Sequence, residues 1–201
     1  TSKNFIKVYS TLDSFAGLKS DGTVVLSGKH FNLNNPEDND VPHNLNNVVS
    51  ISAGMSHSLA LKSDGTVVAW GNNTRGQTEV PSDLTDVSYI ASSQNNSIAL
   101  KNNGTIVVWG DNTDGQLNVP HDARNIISIS AGYNYFLALK RDGRVYAWGN
   151  NSEGQTRVPY NLNNVVSIVA GSEHSIALKR DGTVVAWGGN REGQLNVPSD
   201  L

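Results

Sequence analysis

Two histidines, His57 and His174, are the side chains of this 201-residue chain whose type best suits proton transfer or metal ligation. They stand 117 residues apart, at one position of a repeated segment whose other copies carry Ser14, Asn96 and Tyr135. A position that accepts His, Ser, Asn and Tyr in turn needs a hydrogen-bonding group rather than a base, so both are expected to be structural. His30, His43 and His121 fall in loops without ligand spacing. Asp111-Asn112-Thr113-Asp114-Gly115 offers oxygen ligands in the manner of a calcium loop, but no bidentate glutamate follows and its copies replace both acids. The acidic stretch Glu37-Asp38-Asn39-Asp40 reads as a solvated loop. Gly-x-Ser-x-Gly, His-Glu-x-x-His and phosphate-cradling motifs are absent from the sequence, as is cysteine. The expectation is a protein without catalytic residues, cofactor or metal.

Charge narrows the partner. Lys and Arg number 15 against 18 Asp and Glu, a formal net charge of −3 that gives no basic footprint for nucleic acid. No apolar run is long enough for a membrane-spanning helix, and no signal peptide is visible. Another protein is therefore the expected partner.

The loops that would meet it are positioned by a repeat. Trp70, Trp109, Trp148 and Trp187 are each 39 residues apart, and Asp64-Gly65, Asn103-Gly104, Asp142-Gly143 and Asp181-Gly182 keep the same step. Val41-Pro42, Val80-Pro81, Val119-Pro120, Val158-Pro159 and Val197-Pro198 make five copies, the first longer by four residues within 29–40. The copies span approximately 5–45, 46–84, 85–123, 124–162 and 163–201 of a single domain, 1–201.

In the second copy, Val48–Ser52 is β-branched and Ser58–Lys62 alternates, predicting strands A and B. Asp64-Gly65 predicts a two-residue type I′ hairpin, and Thr66–Trp70 predicts strand C. Gln77–Val80, stopped by Pro81, predicts an outer strand D. Four-stranded antiparallel blades repeated in this way predict an all-β propeller. Trp70, Trp109, Trp148 and Trp187 are expected in the core between blades, with Gly65, Gly104, Gly143 and Gly182 in the hairpins.

The run Ala-Gly-x-x-His-Ser-x-Ala-Leu-Lys-x-Asp-Gly-Thr-Val-x-Ala-Trp-Gly at 53–71 and 170–188 resembles the repeat of the regulator of chromosome condensation family. With Asn-x-x-x-Gly-Gln at 72–77 and Val80-Pro81, it is similar to the short 39-residue subtype of secreted, propeller-type β-lactamase inhibitor proteins of bacteria. The resemblance implies a secreted or cell-surface bacterial protein whose target is held by aromatic and acidic loop residues on one face. It also implies a seven-bladed ring, whereas five copies are present, and the first carries Leu26-Ser27 in place of Ala-Trp or Val-Trp and Glu37-Asp38 in place of Gly-Gln. A closed five-bladed ring is favoured, because the copies run from A to D without an orphan strand. A fragment of a seven-bladed ring, or a ring completed by oligomerisation, are the alternatives.

In such a meander the A–B and C–D loops share one face, and there the copies differ. Tyr133, Asn134 and Tyr135 form one A–B loop, Glu173 lies in another, and Arg75, Asp111, Asp114, Glu153, Arg191 and Glu192 vary the C–D loops. The tyrosines suit anchoring and the aspartates a cationic partner. Asp111 and Asp114 match the acidic Asp-x-x-Asp pattern of the inhibitor proteins, while Asn134 stands where they carry a large aromatic. The expected function is a protein–protein interaction module. An inhibitor of a β-lactamase or cell-wall enzyme and a carbohydrate-binding propeller are the alternatives.

Overall fold

Short β-branched runs between turns become fifteen strands in the computed structural model, which describes residues 4–10, 14–28 and 41–198. They are β1 (Phe5–Ser10), β2 (Ser14–Lys19) and β3 (Val24–Gly28) in the first repeat, and β4 (Val48–Ala53), β5 (His57–Lys62) and β6 (Val67–Gly71) in the second. The third holds β7 (Val87–Ser92), β8 (Asn96–Lys101) and β9 (Ile106–Gly110). The fourth holds β10 (Ile126–Ala131), β11 (Tyr135–Lys140) and β12 (Val145–Gly149), and the fifth β13 (Val165–Ala170), β14 (His174–Lys179) and β15 (Val184–Gly188). Each trio is an antiparallel sheet in chain order, and each first strand carries a bulge near its start, as between Val48 and Ser50.

The sheets are thus three-stranded, and the expected strand D does not form among the described residues. Gly76, at φ +78°, turns the chain instead. Its N–H donates to the Asn73 carbonyl at 3.2 Å, Glu79 N–H to the Gly76 carbonyl at 3.1 Å, and Thr78 N–H to Asn73 Oδ1 at 3.0 Å. With these donors spent locally, little remains to pair with β6. The corresponding part of the first repeat, with His30 and the acidic insertion, lies outside the described residues, as do 199–201.

The B–C hairpin also differs from the expected type I′ turn. That turn needs positive φ at both central residues, and of Asp64 and Gly65 only Gly65 has it, at +80°. Gly65 N–H donates to the Lys62 carbonyl at 3.0 Å and Lys62 N–H to the Thr66 carbonyl at 2.9 Å, so Ser63 and Asp64 make the turn and Gly65 the left-handed residue after it. Asp64 Oδ1 accepts from Thr66 N–H and Oγ1. These bonds, with the Lys62 ammonium at 3.3 Å, hold its carboxyl down to about 2.

The core lies between successive sheets. Leu59 and Leu61 of β5 pack with Val87, Ile90, Ala99 and Trp109 of the next repeat, and the pattern recurs along the chain. Trp109, Trp148 and Trp187 are buried, and each donates its indole N–H to a backbone carbonyl of the preceding repeat, from Gln77, Gln116 and Gln155 respectively, at 2.9 Å. Trp70 is buried likewise, and its indole N–H has no hydrogen-bond partner among the described residues.

At the two ends this packing stops. Leu178 is 39 % exposed where Leu61, Leu100 and Leu139 are buried. Val8 is 65 % exposed where Ile51, Ile90, Ile129 and Ile168 are buried. Among the described residues each three-stranded sheet packs against the next one along the chain.

The same boundary sets a stability contrast. Gly143 and Gly182 share left-handed φ values of +84° and +88°, but a Cβ on Gly143 would lie 3.1 Å from the Asn164 Cα of the next repeat, and on Gly182 it would meet nothing within 4 Å. Gly182→Ala is expected to cost about 1 kcal/mol through backbone strain alone. Gly143→Ala is expected to cost measurably more in denaturant unfolding, because the joint to the fifth repeat must open.

Candidate binding face

At one end of the strands, each A–B loop is tied to its own C–D loop through the backbone. Asn72 N–H donates to the Ser56 carbonyl at 2.8 Å, Asp111 to Asn95 at 3.0 Å, Asn150 to Asn134 at 2.8 Å and Gly189 to Glu173 at 2.7 Å. At the other end the B–C hairpin meets the start of the next repeat, as where Val87 N–H donates to the Gly65 carbonyl at 3.1 Å. The A–B and C–D loops therefore share a face, as expected, and the hairpins occupy the opposite one.

On that face the A–B loops of repeats 2 to 5 surround one concavity of about 510 Å³. Met55 and Tyr133 are its exposed large apolar side chains, with Gln94, Ser93 and Ser172 beside them. Tyr133 N–H donates to the Ser172 carbonyl at 3.1 Å, which joins the fourth and fifth loops. Gly132 packs closely here: a Cβ on it would come within 2.4 Å of the Gly171 carbonyl oxygen.

The three residues of the expected tyrosine anchor separate. Tyr133 is 41 % exposed and available. Asn134 is half-buried at φ +58°, and its Oδ1 has no hydrogen-bond partner. Tyr135 is not an anchor. It opens β11, is fully buried, and donates its hydroxyl to the His174 carbonyl at 2.5 Å while accepting from Ser175 Oγ at 3.2 Å. Burial pushes its hydroxyl up to about 12. Alternation along the strand turns it into the space between repeats.

His57 fills the matching position in the second repeat. It is buried, with Nε2 3.0 Å from Ser97 Oγ of the next repeat, and burial lowers its ring to about 4. His174 stands three repeats away in β14, and no cluster among the described residues is suited to a metal ion.

The charged positions also divide. Asp111 keeps only 11 % of its side chain exposed, accepting from Thr113 Oγ1 at 2.7 Å with Arg75 at 3.9 Å. It serves the joint between the second and third repeats rather than standing ready for a cationic partner. Arg191 pairs with Glu153 in the same way between the fifth and fourth. Asp114, Glu173 and Glu192 are exposed and have no ion pair among the described residues.

Gln77, Gln116 and Gln155 had no role in the sequence analysis beyond strand D. They are fully buried, and their side-chain carbonyls accept from Arg75, Asp114 and Glu153 N–H. The Gly-Gln step kept in repeats 2 to 5 was the available signal: a polar residue recurring at one position marks a buried hydrogen bond as readily as a strand edge.

The regulator of chromosome condensation (RCC1) repeat model matches residues 48–77, 87–116, 126–155 and 165–194. The chain belongs to the RCC1 repeat family. Comparison with curated protein sequences finds no match. Among solved structures, this RCC1-repeat chain is similar to the ectodomain of the receptor kinase CR4 from Physcomitrella patens, with a TM-score of 0.79 and 22 % identity over 100 % of this chain and 56 % of that one. Prp20p from Saccharomyces cerevisiae gives a TM-score of 0.75 and 23 % identity over 92 % and 58 %, and human WBSCR16 gives 0.74 and 19 % over 94 % and 62 %. The chain thus spans about three-fifths of the length of these propellers, and at this identity the likeness concerns the fold. Prp20p itself has binding properties toward Gsp1p and histones, and yeast Prp20 has also been seen with Kap60 bound to it.

Proposed function

We propose that this RCC1-repeat chain is a non-catalytic protein-binding module and that its working surface is the face of A–B and C–D loops. The observation that carries the proposal is the contrast between the two ends of the strands. The hairpin end repeats one solution, with aspartate accepting from the following residues in Asp64, Asp142 and Asp181 alike. The loop end has an equally fixed backbone and different side chains in every repeat. A rigid frame with varied loops is the arrangement that recognition surfaces use. Binding of protein partners by Prp20 supports the class of activity without naming a partner.

An inhibitor of a β-lactamase or cell-wall enzyme has less support, since only Tyr133 of the two tyrosines reaches solvent. The test is affinity capture from cell and culture extracts with the intact chain, with a Tyr133→Ala/Asp114→Asn/Glu173→Gln/Glu192→Gln variant, and with an Asp64→Asn/Asp181→Asn variant of the hairpin face. A protein retained by the first and third and lost by the second is the expected result. Equal retention by all three overturns the assignment of the face.

A further inference from the structure

Among the described residues the concavity has no charged side chain in its lining, whereas the C–D loops of the same face, together with Glu173, carry more acidic than basic side chains. Asp111, Asp114, Glu153, Glu173 and Glu192 stand against Arg75 and Arg191, a net of −3 for these loop residues. Arg75 and Arg191 are already engaged by Asp111 and Glu153. That leaves Asp114, Glu173 and Glu192 without an ion pair among the described residues.

Inside the mouth, Met55 and Tyr133 expose apolar surface. Ser93, on its wall, is 5 % exposed, and its Oγ has no hydrogen-bond partner. The equivalent positions are Gly54, Gly132 and Gly171, so the backbone does not need a hydroxyl there. A buried hydroxyl left unpaired is costly, and a ligand that pairs with it removes the cost. The volume of about 510 Å³ lies within the range of ligand clefts.

We infer that this mouth receives one uncharged, apolar side chain from a protruding loop of a protein partner whose surrounding surface is basic. The inference rests on the reading of this face as protein-binding. An inserted aromatic or large aliphatic group takes Met55 and Tyr133 out of water, and the thioether adapts to its shape. A lysine or arginine in the neutral lining would be a buried charge without a partner, so the inserted group is apolar. Its basic neighbours face Asp114, Glu173 and Glu192 at the rim, where the attraction guides approach and weakens with salt. Ser93 Oγ meets a polar atom of the inserted backbone.

A displayed library of short cyclic peptides, selected on the intact chain, tests this. Three variants are then compared, with circular-dichroism melting to show that each is folded: Met55→Ala/Tyr133→Ala in the mouth, Ser93→Gly, and Asp114→Asn/Glu173→Gln/Glu192→Gln at the rim. The expected binders carry a large apolar residue flanked by Lys or Arg. Their affinity is expected to fall about 10-fold or more in the mouth variant and about 3-fold in Ser93→Gly. The rim variant is expected to flatten the salt dependence. Failure to enrich binders, or enrichment of acidic ones, overturns the inference. Binders lost by the rim variant but indifferent to the mouth variant overturn it while leaving the face assignment standing. Binders indifferent to both sets overturn both.

Discussion

Replacing Trp148 by alanine is expected to lower the unfolding free energy by about 3–5 kcal/mol, the range for removing a large buried aromatic. Trp148 lies in the joint between the third and fourth repeats, with its ring centroid 5.5 Å from that of Phe136 and its indole N–H donated to the Gln116 carbonyl. A finer comparison isolates the hydrogen bond. The Gln77 carbonyl accepts from both Trp109 and Ser97, and the Gln155 carbonyl from both Trp187 and Ser175. The fourth repeat has Phe136 at the serine position, so at the Gln116 carbonyl the indole N–H has no hydroxyl beside it. Trp148→Phe therefore leaves this buried carbonyl without a side-chain donor, whereas Trp109→Phe leaves Ser97 in place. Trp148→Phe is expected to cost about 1–2 kcal/mol more than Trp109→Phe in denaturant unfolding. Equal losses would show that the indole acts through packing alone.

The tryptophan step was legible because a large side chain recurring every 39 residues admits few geometries other than a stack of identical joints. Loop placement was legible for a related reason: strands joined by short turns must send alternate loops to opposite ends. What escaped was set by side chains whose partners lie in a neighbouring repeat. Tyr135 has the composition of an anchor, but its neighbour across the joint is the His174 carbonyl, 39 residues along the chain. Asp111 has the composition of an acidic contact, and Arg75 of the preceding repeat already occupies it. Strand D was misplaced because Gln77–Val80 has a strand's pattern next to a proline, while the Asn73 side chain and Gly76 divert its backbone donors.

These joints make the proposed binding face and the packing between repeats interdependent. The side chain of Gln77 accepts from Arg75 N–H in the C–D loop, and its backbone carbonyl holds the tryptophan of the next repeat. A fully buried residue thus sets the shape of an exposed loop. Substitutions at the buried glutamines are expected to act through loop geometry, those at Asp114 or Tyr133 through contact.

Acid should expose one joint before the others. Burial lowers the ring of His57 to about 4 from 6.5, with the Asn96 backbone partly offsetting the shift. The folded state thus prefers the neutral ring, so the stability it confers is fully present above pH 6.5 and is lost as pH falls towards 4. A shift of this size corresponds to about 3 kcal/mol of unfolding free energy between pH 7 and pH 4. The hairpin carboxylates act in a separate window. Asp64, Asp142 and Asp181 are lowered to about 2 from 3.8, so what they contribute is present above 3.8 and is lost only below it. Denaturant unfolding at pH 7, 5.5 and 4 therefore reads the histidine before the aspartates titrate. His57→Asn places at this position the residue that repeat 3 carries, Asn96, which there donates Nδ2 to the Asp111 carbonyl. The variant is expected to remove most of the fall between pH 7 and pH 4 while retaining the steeper loss below it. A profile unchanged by His57→Asn would place the acid sensitivity outside the joint between the second and third repeats.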